Sequence, residues 1–350
     1  RHFIDTINHL EALFDARVEL IAADMHPQYL STEYALRRHS GALAGRSAVP
    51  LVRVQHHHAH IAACLAENAQ AGPAIGLACD GVGYGDDGAV WGCEVLQADI
   101  RGYRRLGHLR CMPLVGGDAA ATETYRPALA ALHDAFGQAA AEYAHGVRTD
   151  FPEEKLQAAV ELLMLDVNCP PGSSLGRWFD AVAWLCGLAE RNSFEGQAPM
   201  MLEAAIQNGV GQAYDFRLVA EGPFTIDLRP MVEQIVGDLR NGQDAGMVAA
   251  KFHNTVVSFL AASALRAREE TNLDVVALSG GCFANRYLTA RLSEALAAEG
   301  LRVLRHRTIP CNDGGVALGQ AVVAAAGAAQ RSAAAAGPAA DVRARENKAE

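Results

Sequence analysis

The segment from Asp274 to about Ala326 constrains the fold most. DVVALSGG reads as a buried strand ending in glycines and ANRYLTARLSEALAAEG as an amphipathic helix. LRVLRH reads as a second strand, and the run from Gly314 to about Ala326 as a second helix. The same alternation opens the chain. FIDTINHLEALF spaces Phe3, Ile7, Leu10 and Phe14 for a helix, and VELIAAD reads as a short buried strand. After a turn at Pro27, Tyr29 to His39 reads as a helix, and VPLVRVQ (49–55) as a strand running into a helix over HHHAHIAACLAEN. Strands separated by helices predict a parallel sheet covered on its faces, so the fold class is α/β.

The middle of the chain changes style. PAIGLAC and AVWGCEVLQ predict a hairpin around the loop DGVGYGDDG. Helices dominate from Thr124 to about Gln207, a loop-rich stretch covers 209–230, and a helix covers Gly246 to Glu270. Beyond 327 the chain is Ala-rich and then mixed in charge without an apolar period, the pattern of a disordered tail. The expected organisation is a first unit over 1–72, a second over 73–326 with a helical insertion, and a tail over 327–350. The chain begins at Arg1 directly on a helical pattern, as a cut end would.

With 350 residues, half of them hydrophobic, the chain can bury a sizeable core. The formal charge of -10 argues against a nucleic-acid partner, which calls for basic surface. None of the eight cysteines forms a C-x-x-C pair, and Cys79, Cys93 and Cys186 read as core, a usage that suits a reducing, cytoplasmic setting. No signal peptide is visible, and no charge-free apolar stretch approaches the ~20 residues of a membrane span.

Four constellations carry chemistry. In QHHHAH, at a helix start, His56 and His60 lie on one face a turn apart and can share a metal ion. His57 and His60 are the alternative pair, and a polar helix start with exposed histidines is the plain reading. Two histidines need a further donor. Asp313 in PCNDGG, at the start of the last helix, is the candidate, or else it caps that helix. In LSGGCFAN, a strand ending at Ser279, Gly280 and Gly281 before a helix brings bare amides and a helix N-terminus together, which suits phosphate; a tight turn is the alternative.

The loop Asp80–Gly88 has glycines at 81, 83, 85 and 88 to wrap an anion, and Asp80, Asp86 and Asp87 to hold a cation. Its order is not that of an EF-hand, which disfavours calcium and leaves magnesium open; a plain hairpin tip is the alternative. In SSLGRWFDAVAWLCG, Ser174 can cap a helix on which Gly176 and Asp180 share a face. Asp180, isolated among apolar residues, asks for a polar partner such as a ribose hydroxyl, with a helix-dipole or capping role as the plain reading.

Taken in order, eight strings resemble the C-terminal domain of the HypF-type hydrogenase-maturation proteins: DMHPQYLST, VQHHHAHIAA, CDGVGYGDDGAVWG, GGDAA, GRWFDAVAWLCGL, SFEGQAPMMLE, LSGGCFANRYL and PCNDGGVALGQA. That domain is related to the threonylcarbamoyl transferases of tRNA modification and to small-molecule O-carbamoyltransferases. The resemblance implies a two-lobed actin/hexokinase/Hsp70-like fold with nucleotide between the lobes. The first lobe is then N-terminally truncated, its first hairpin falling before Arg1. It implies an iron or zinc ion on His56, His60 and Asp313, and nucleotide contacts from Gly280, Gly281 and Asn285. Gly176 and Asp180 fall on the helix lining the ribose, Glu195 near the nucleoside, and Asp80, Gly81 and Gly83 on the phosphate hairpin.

The implied reaction is carbamoyl transfer from carbamoyl-adenylate to the C-terminal cysteine thiol of a HypE-like partner, towards the cyanide ligands of nickel–iron hydrogenases. In the family an upstream domain makes the adenylate from carbamoyl phosphate and ATP, and an acylphosphatase-like domain and zinc-finger motifs also stand upstream. His57 or His58 is the candidate to take the thiol proton. Competing readings are a small-molecule O-carbamoyltransferase, an inactive nucleotide-binding module, and a metallohydrolase, which lacks the H-E-x-x-H glutamate.

Overall fold

A computed structural model describes residues 2–220 and 222–336. Its elements form two sheets. In the smaller, Ile21–Asp24 and Leu51–Val54 pair in parallel, with the helix Leu30–His39 between them in sequence. The larger has nine strands. Its main path runs from Arg302–Leu304 through Val275–Ser279, Ala74–Tyr84, Val90–Ala98, Tyr103–Leu109 and Phe224–Asp227 to Arg217–Val219. The predicted parallel pairing holds between Val275–Ser279 and its neighbours on both sides, whereas Ala74–Tyr84, Val90–Ala98 and Tyr103–Leu109 are antiparallel. The sheet is therefore mixed, because the central strands connect by short turns, whereas the parallel pairs, Tyr103–Leu109 with Phe224–Asp227 included, are joined through helical segments.

Three expectations change. The glycine-rich loop expected over 80–88 is mostly strand, since Ala74–Tyr84 continues past an irregularity between Cys79 and Gly83 and leaves a short turn before Val90. The loop-rich stretch 209–230 contains Arg217–Val219, Phe224–Asp227 and the start of a helix, Arg229–Arg240. The last helix, Val316–Ala336, runs past the expected boundary at 326; the rest of the expected tail, 337–350, lies outside the described residues.

The core sits between the larger sheet and the helical insertion. Leu77, Val95, Leu129, Trp184, Phe252 and Phe259 are fully buried in it. Ala245–Thr271 is, among the described residues, the one helix long and apolar enough to cross a membrane, but 67% of its apolar window is buried inside the protein. The first helix, His2–Leu13, forms as its period predicts yet buries none of its residues.

Two helices position the site. Gln55 follows the strand Leu51–Val54 and caps the histidine helix, His56–Glu67, by accepting from the His58 amide at 2.8 Å. This helix is buried from His56 to Leu65, the all-round burial of a core helix. The last helix packs directly on it at Gly319, where a Cβ would stand 1.8 Å from the Ala59 carbonyl oxygen. Only glycine allows that approach, which brings Asp313, just ahead of the last helix, beside the histidines.

Candidate functional site

His56 and His60, a turn apart, both aim Nε2 at one point. Asp80 Oδ2 lies 3.4 Å from His56 Nε2 and 3.1 Å from His60 Nε2. Asp313 Oδ1 lies 3.4 and 3.5 Å from the same two nitrogens. The four donor atoms all fall within 4.8 Å of one another. Two imidazoles and two carboxylates suit a divalent first-row metal.

The far sides of the rings are occupied as metal-binding histidines require. His56 Nδ1 is 2.9 Å from Asp24 Oδ2, and His60 Nδ1 is 3.3 Å from Ser279 Oγ. His56, His60 and Asp80 are buried, while the Asp313 side chain is 66% exposed, so the cluster opens to solvent on one side. The residues present fit a metal ion.

Electrostatics say the same. Burial pulls His56 down, but hydrogen bonds to Asp24, Asp313 and Asp80 outweigh it and raise the imidazole to about 12. His60 is also raised: burial opposes the shift, and Asp313 and Asp80 drive it. Burial raises Asp80, yet the two histidines hold it well below the usual carboxylate range. Without a metal, protons on the imidazoles balance the carboxylates, and a cation at the same point would replace them.

Asp80 was expected with the phosphate loop. Its Oδ2 joins the histidines instead, and its Oδ1 accepts from the Gly81 amide at 2.8 Å and the Gly281 amide at 3.2 Å. The trio Asp80, Asp86 and Asp87 does not gather around a cation. Asp86 bonds the Tyr103 hydroxyl, and Asp87 holds Trp91 Nε1 at 2.9 Å and Arg105 at 3.2 Å.

Next to Asp80 opens a cavity of about 540 Å³. Gly81, Gly176, Glu195, Gly281 and Asn285, all expected to contact nucleotide, line it, joined by Arg177, Glu203 and Asn312, which sequence reasoning did not single out. The expected phosphate cradle differs in its atoms. The Gly280 amide donates to the Cys311 carbonyl at 2.8 Å, and the Gly281 amide is taken by Asp80. The next helix N-terminus is closed as well: Glu203 accepts from the Arg286 and Tyr287 amides at 2.8 and 3.1 Å, and Asn285 caps Leu288.

These glycines serve close approach instead. Gly280 has φ +110° and a Cβ there would meet the Cys79 carbonyl oxygen at 2.2 Å. A Cβ on Gly83 would stand 2.5 Å from the His57 ring, so Gly83 lets the hairpin seat the histidine helix. Gly176 lets its helix meet Gly81. Asp180 is fully buried, hydrogen-bonded to Asn192 at 2.9 Å and ion-paired with Arg177 at 2.7 Å, so it braces the cavity wall from behind; burial raises its carboxyl.

Neither expected base reaches this cavity. His58, two residues along from His56, faces the other way. Its Nε2 bonds the Asp99 carbonyl at 2.7 Å, and burial lowers its imidazole. His57 is fully buried, with Nδ1 3.3 Å from the Gln55 side-chain nitrogen and, among the described residues, no partner for Nε2; burial first, then His56, lowers it well below the ordinary value. Sequence reasoning missed Asp24, although a carboxylate closing an apolar strand was the available signal: in α/β folds, sites gather at the carboxyl ends of strands.

Residues 76–320 match the family described as carbamoyltransferase, Kae1-like domain, second subdomain, and residues 1–67 match the HypF Kae1-like domain. The chain belongs to the HypF carbamoyltransferase family. This HypF-family chain is 41% identical over 351 residues to carbamoyltransferase HypF2 of Cupriavidus necator, covering 92% of this chain and 41% of that protein. It is 42% identical over 327 residues to a carbamoyltransferase HypF homolog of the same organism, covering 90% of this chain and 81% of the other. A crystal structure of full-length HypF in the phosphate- and nucleotide-bound form superposes with a TM-score of 0.84 at 40% identity, over 92% of this chain and 49% of that one. The HypF of T. kodakarensis gives a TM-score of 0.78 at 28% identity, over 92% of this chain and 42% of that one. The chain thus spans about two fifths of the length of carbamoyltransferase HypF2.

Proposed function

We propose that this chain performs the transfer half of a HypF reaction, moving a carbamoyl group from carbamoyl-adenylate to the C-terminal cysteine thiol of a HypE-like protein. The observation that carries the reading is Asp80. Its carboxylate belongs to the histidine–aspartate cluster, and the same residue lines the cavity beside it. A nucleotide in that cavity has its reacting end next to the cluster. A full-length HypF relative has been crystallised in a phosphate- and nucleotide-bound form, which is in keeping with a nucleotide substrate.

His56, His60, Asp80 and Asp313 would hold an iron or zinc ion. When bound, such an ion supplies Lewis-acid polarisation of a carbonyl or phosphoryl oxygen. The chain's own residues orient the substrate. Gly176 and Gly281 provide wall without side chains, and Arg177 offers a guanidinium to the nucleotide, with Glu195 and Asn285 on the same wall. The nucleophile comes from outside. Cys282 lines the cavity, but desolvation pushes its thiol well above the ordinary value, so it stays protonated.

In this reading the two sheets belong to the two lobes of an actin-like fold, divided near residue 72. The adenylate-forming domain, the HypE-like partner and a cytoplasmic setting come with the same reading. The test combines a separate adenylate-forming domain with labelled carbamoyl phosphate, ATP, a HypE-like acceptor and this chain. Label on the acceptor's C-terminal cysteine that disappears with His60→Ala is the expected result. Label on a small-molecule hydroxyl instead would replace the thiol acceptor, and transfer that is indifferent to His60 would sink the site assignment.

A further inference from the structure

Beyond the four donors, a line of side chains runs from His60 to the far end of its own helix. His60 Nδ1 meets Ser279 Oγ at 3.3 Å, and Ser279 Oγ meets His306 Nε2 at 2.9 Å. His306 Nδ1 then meets Glu67 Oε2 at 2.8 Å. The other Glu67 oxygen accepts three backbone amides, from Arg307 at 2.9 Å, Thr308 at 2.6 Å and Ile309 at 3.2 Å. Ser279 is buried, and the His306 and Glu67 side chains are 4% and 11% exposed.

Donor and acceptor counting gives this line one direction. Three amides fix Glu67 as an acceptor, so its second oxygen takes a proton from His306 Nδ1. A neutral His306 then presents a lone pair on Nε2, and burial favours the neutral ring. Ser279 has a single proton, which goes to that lone pair at 2.9 Å in preference to the Cys311 carbonyl at 3.5 Å. Towards His60 the hydroxyl can only accept.

We infer that Glu67, His306 and Ser279 are positioning residues that fix a proton on His60 Nδ1 and thereby present His60 Nε2 as the ligand atom. This deepens the metal reading proposed above and rests on it. The alternative is that Glu67 merely ties the loop at 305–309 to the histidine helix. In that case the direction of the line has no consequence.

Glu67→Gln separates the two with almost no change of shape. The amide oxygen must face the three backbone donors, so the NH2 group faces His306 and donates to Nδ1. The His306 proton moves to Nε2, Ser279 accepts it and turns its own proton towards His60 Nδ1, so His60 can no longer keep on Nδ1 the proton that leaves Nε2 free for a metal. Histidine 15N spectroscopy and calorimetric titration with Zn(II) on the whole chain read both ends. We expect His306 to carry its proton on Nδ1 in the parent and on Nε2 in Glu67→Gln, with Zn(II) bound roughly 10–100-fold more weakly.

An unchanged His306 tautomer with unchanged Zn(II) affinity overturns the relay. A tautomer switch in Glu67→Gln, with a parent chain that binds no Zn(II), upholds the direction of the relay and sinks the metal assignment instead. Should Glu67→Gln not fold, Ser279→Ala cuts the line while leaving the Glu67 ties to the loop amides intact and should also weaken Zn(II), and unchanged affinity there overturns the proposal.

Discussion

Gly319→Ala tests how the fold holds the site. The added methyl would lie 1.8 Å from the Ala59 carbonyl oxygen, with the Ala59 Cα also at 3.0 Å. A carbon rests about 3.3 Å from a carbonyl oxygen at its nearest, so the two helices must part by roughly 1.5 Å. Both partners are helix backbone, which cannot turn aside as a side chain does. Overpacking of this kind costs about 1–3 kcal/mol. With an unfolding entropy of about 2.1 cal/mol/K per residue, that is roughly 1–4 °C in Tm for a chain of this length.

The larger effect should be on the metal cluster. Asp313 stands just ahead of the last helix and His56 and His60 on the other, at 3.4 and 3.5 Å. Ligand distances tolerate only about ±0.2 Å, so a 1.5 Å parting removes Asp313 from the set. Zn(II) affinity by calorimetry should fall at least about tenfold, as loss of even an outer-shell partner does, while circular dichroism stays native. A variant with parental Zn(II) affinity and parental Tm would refute the claim that this helix contact sets the ligand geometry.

Three further outcomes follow from the same geometry. Asp80→Asn removes the carboxylate shared by both histidines and should weaken Zn(II) binding more than tenfold; titration against the parent checks it. Gly280→Ala forces a side chain into φ +110° and against the Cys79 carbonyl, and should cost at least about 1–3 kcal/mol in a denaturant melt. Glu67 is raised by burial, but the amides of Thr308, Arg307 and Ile309, with His306, overcome that and hold it at about 2. Its folded value lies below the unfolded value of about 4.3, so its contribution is full above that pH and is lost as pH falls towards 2. The urea midpoint should drop across that window, and Glu67→Gln should lack that part of the slope.

What the sequence by itself determined is local and periodic. The histidine helix follows from a run with no breaker, and His60 as a shared member of the candidate pairs from three- and four-residue spacing, with His56 rather than His57 chosen only by the fold. The βαβα block follows from apolar runs bounded by glycines. The glycine-rich motif was legible as a place of close approach, but not in what approaches it. Tertiary pairing made strand of residues 80–84, because the hydrogen-bonding partner for a glycine run is Val90–Trp91, which no local pattern reveals. Tertiary packing also took up the Gly280 and Gly281 amides and placed Asp80 against His56 and His60. The relay from Glu67 to His60 joins residues up to 239 apart in sequence. Spacing reports which side chains share a face of one element; which elements bring their faces together is settled only when the whole core closes.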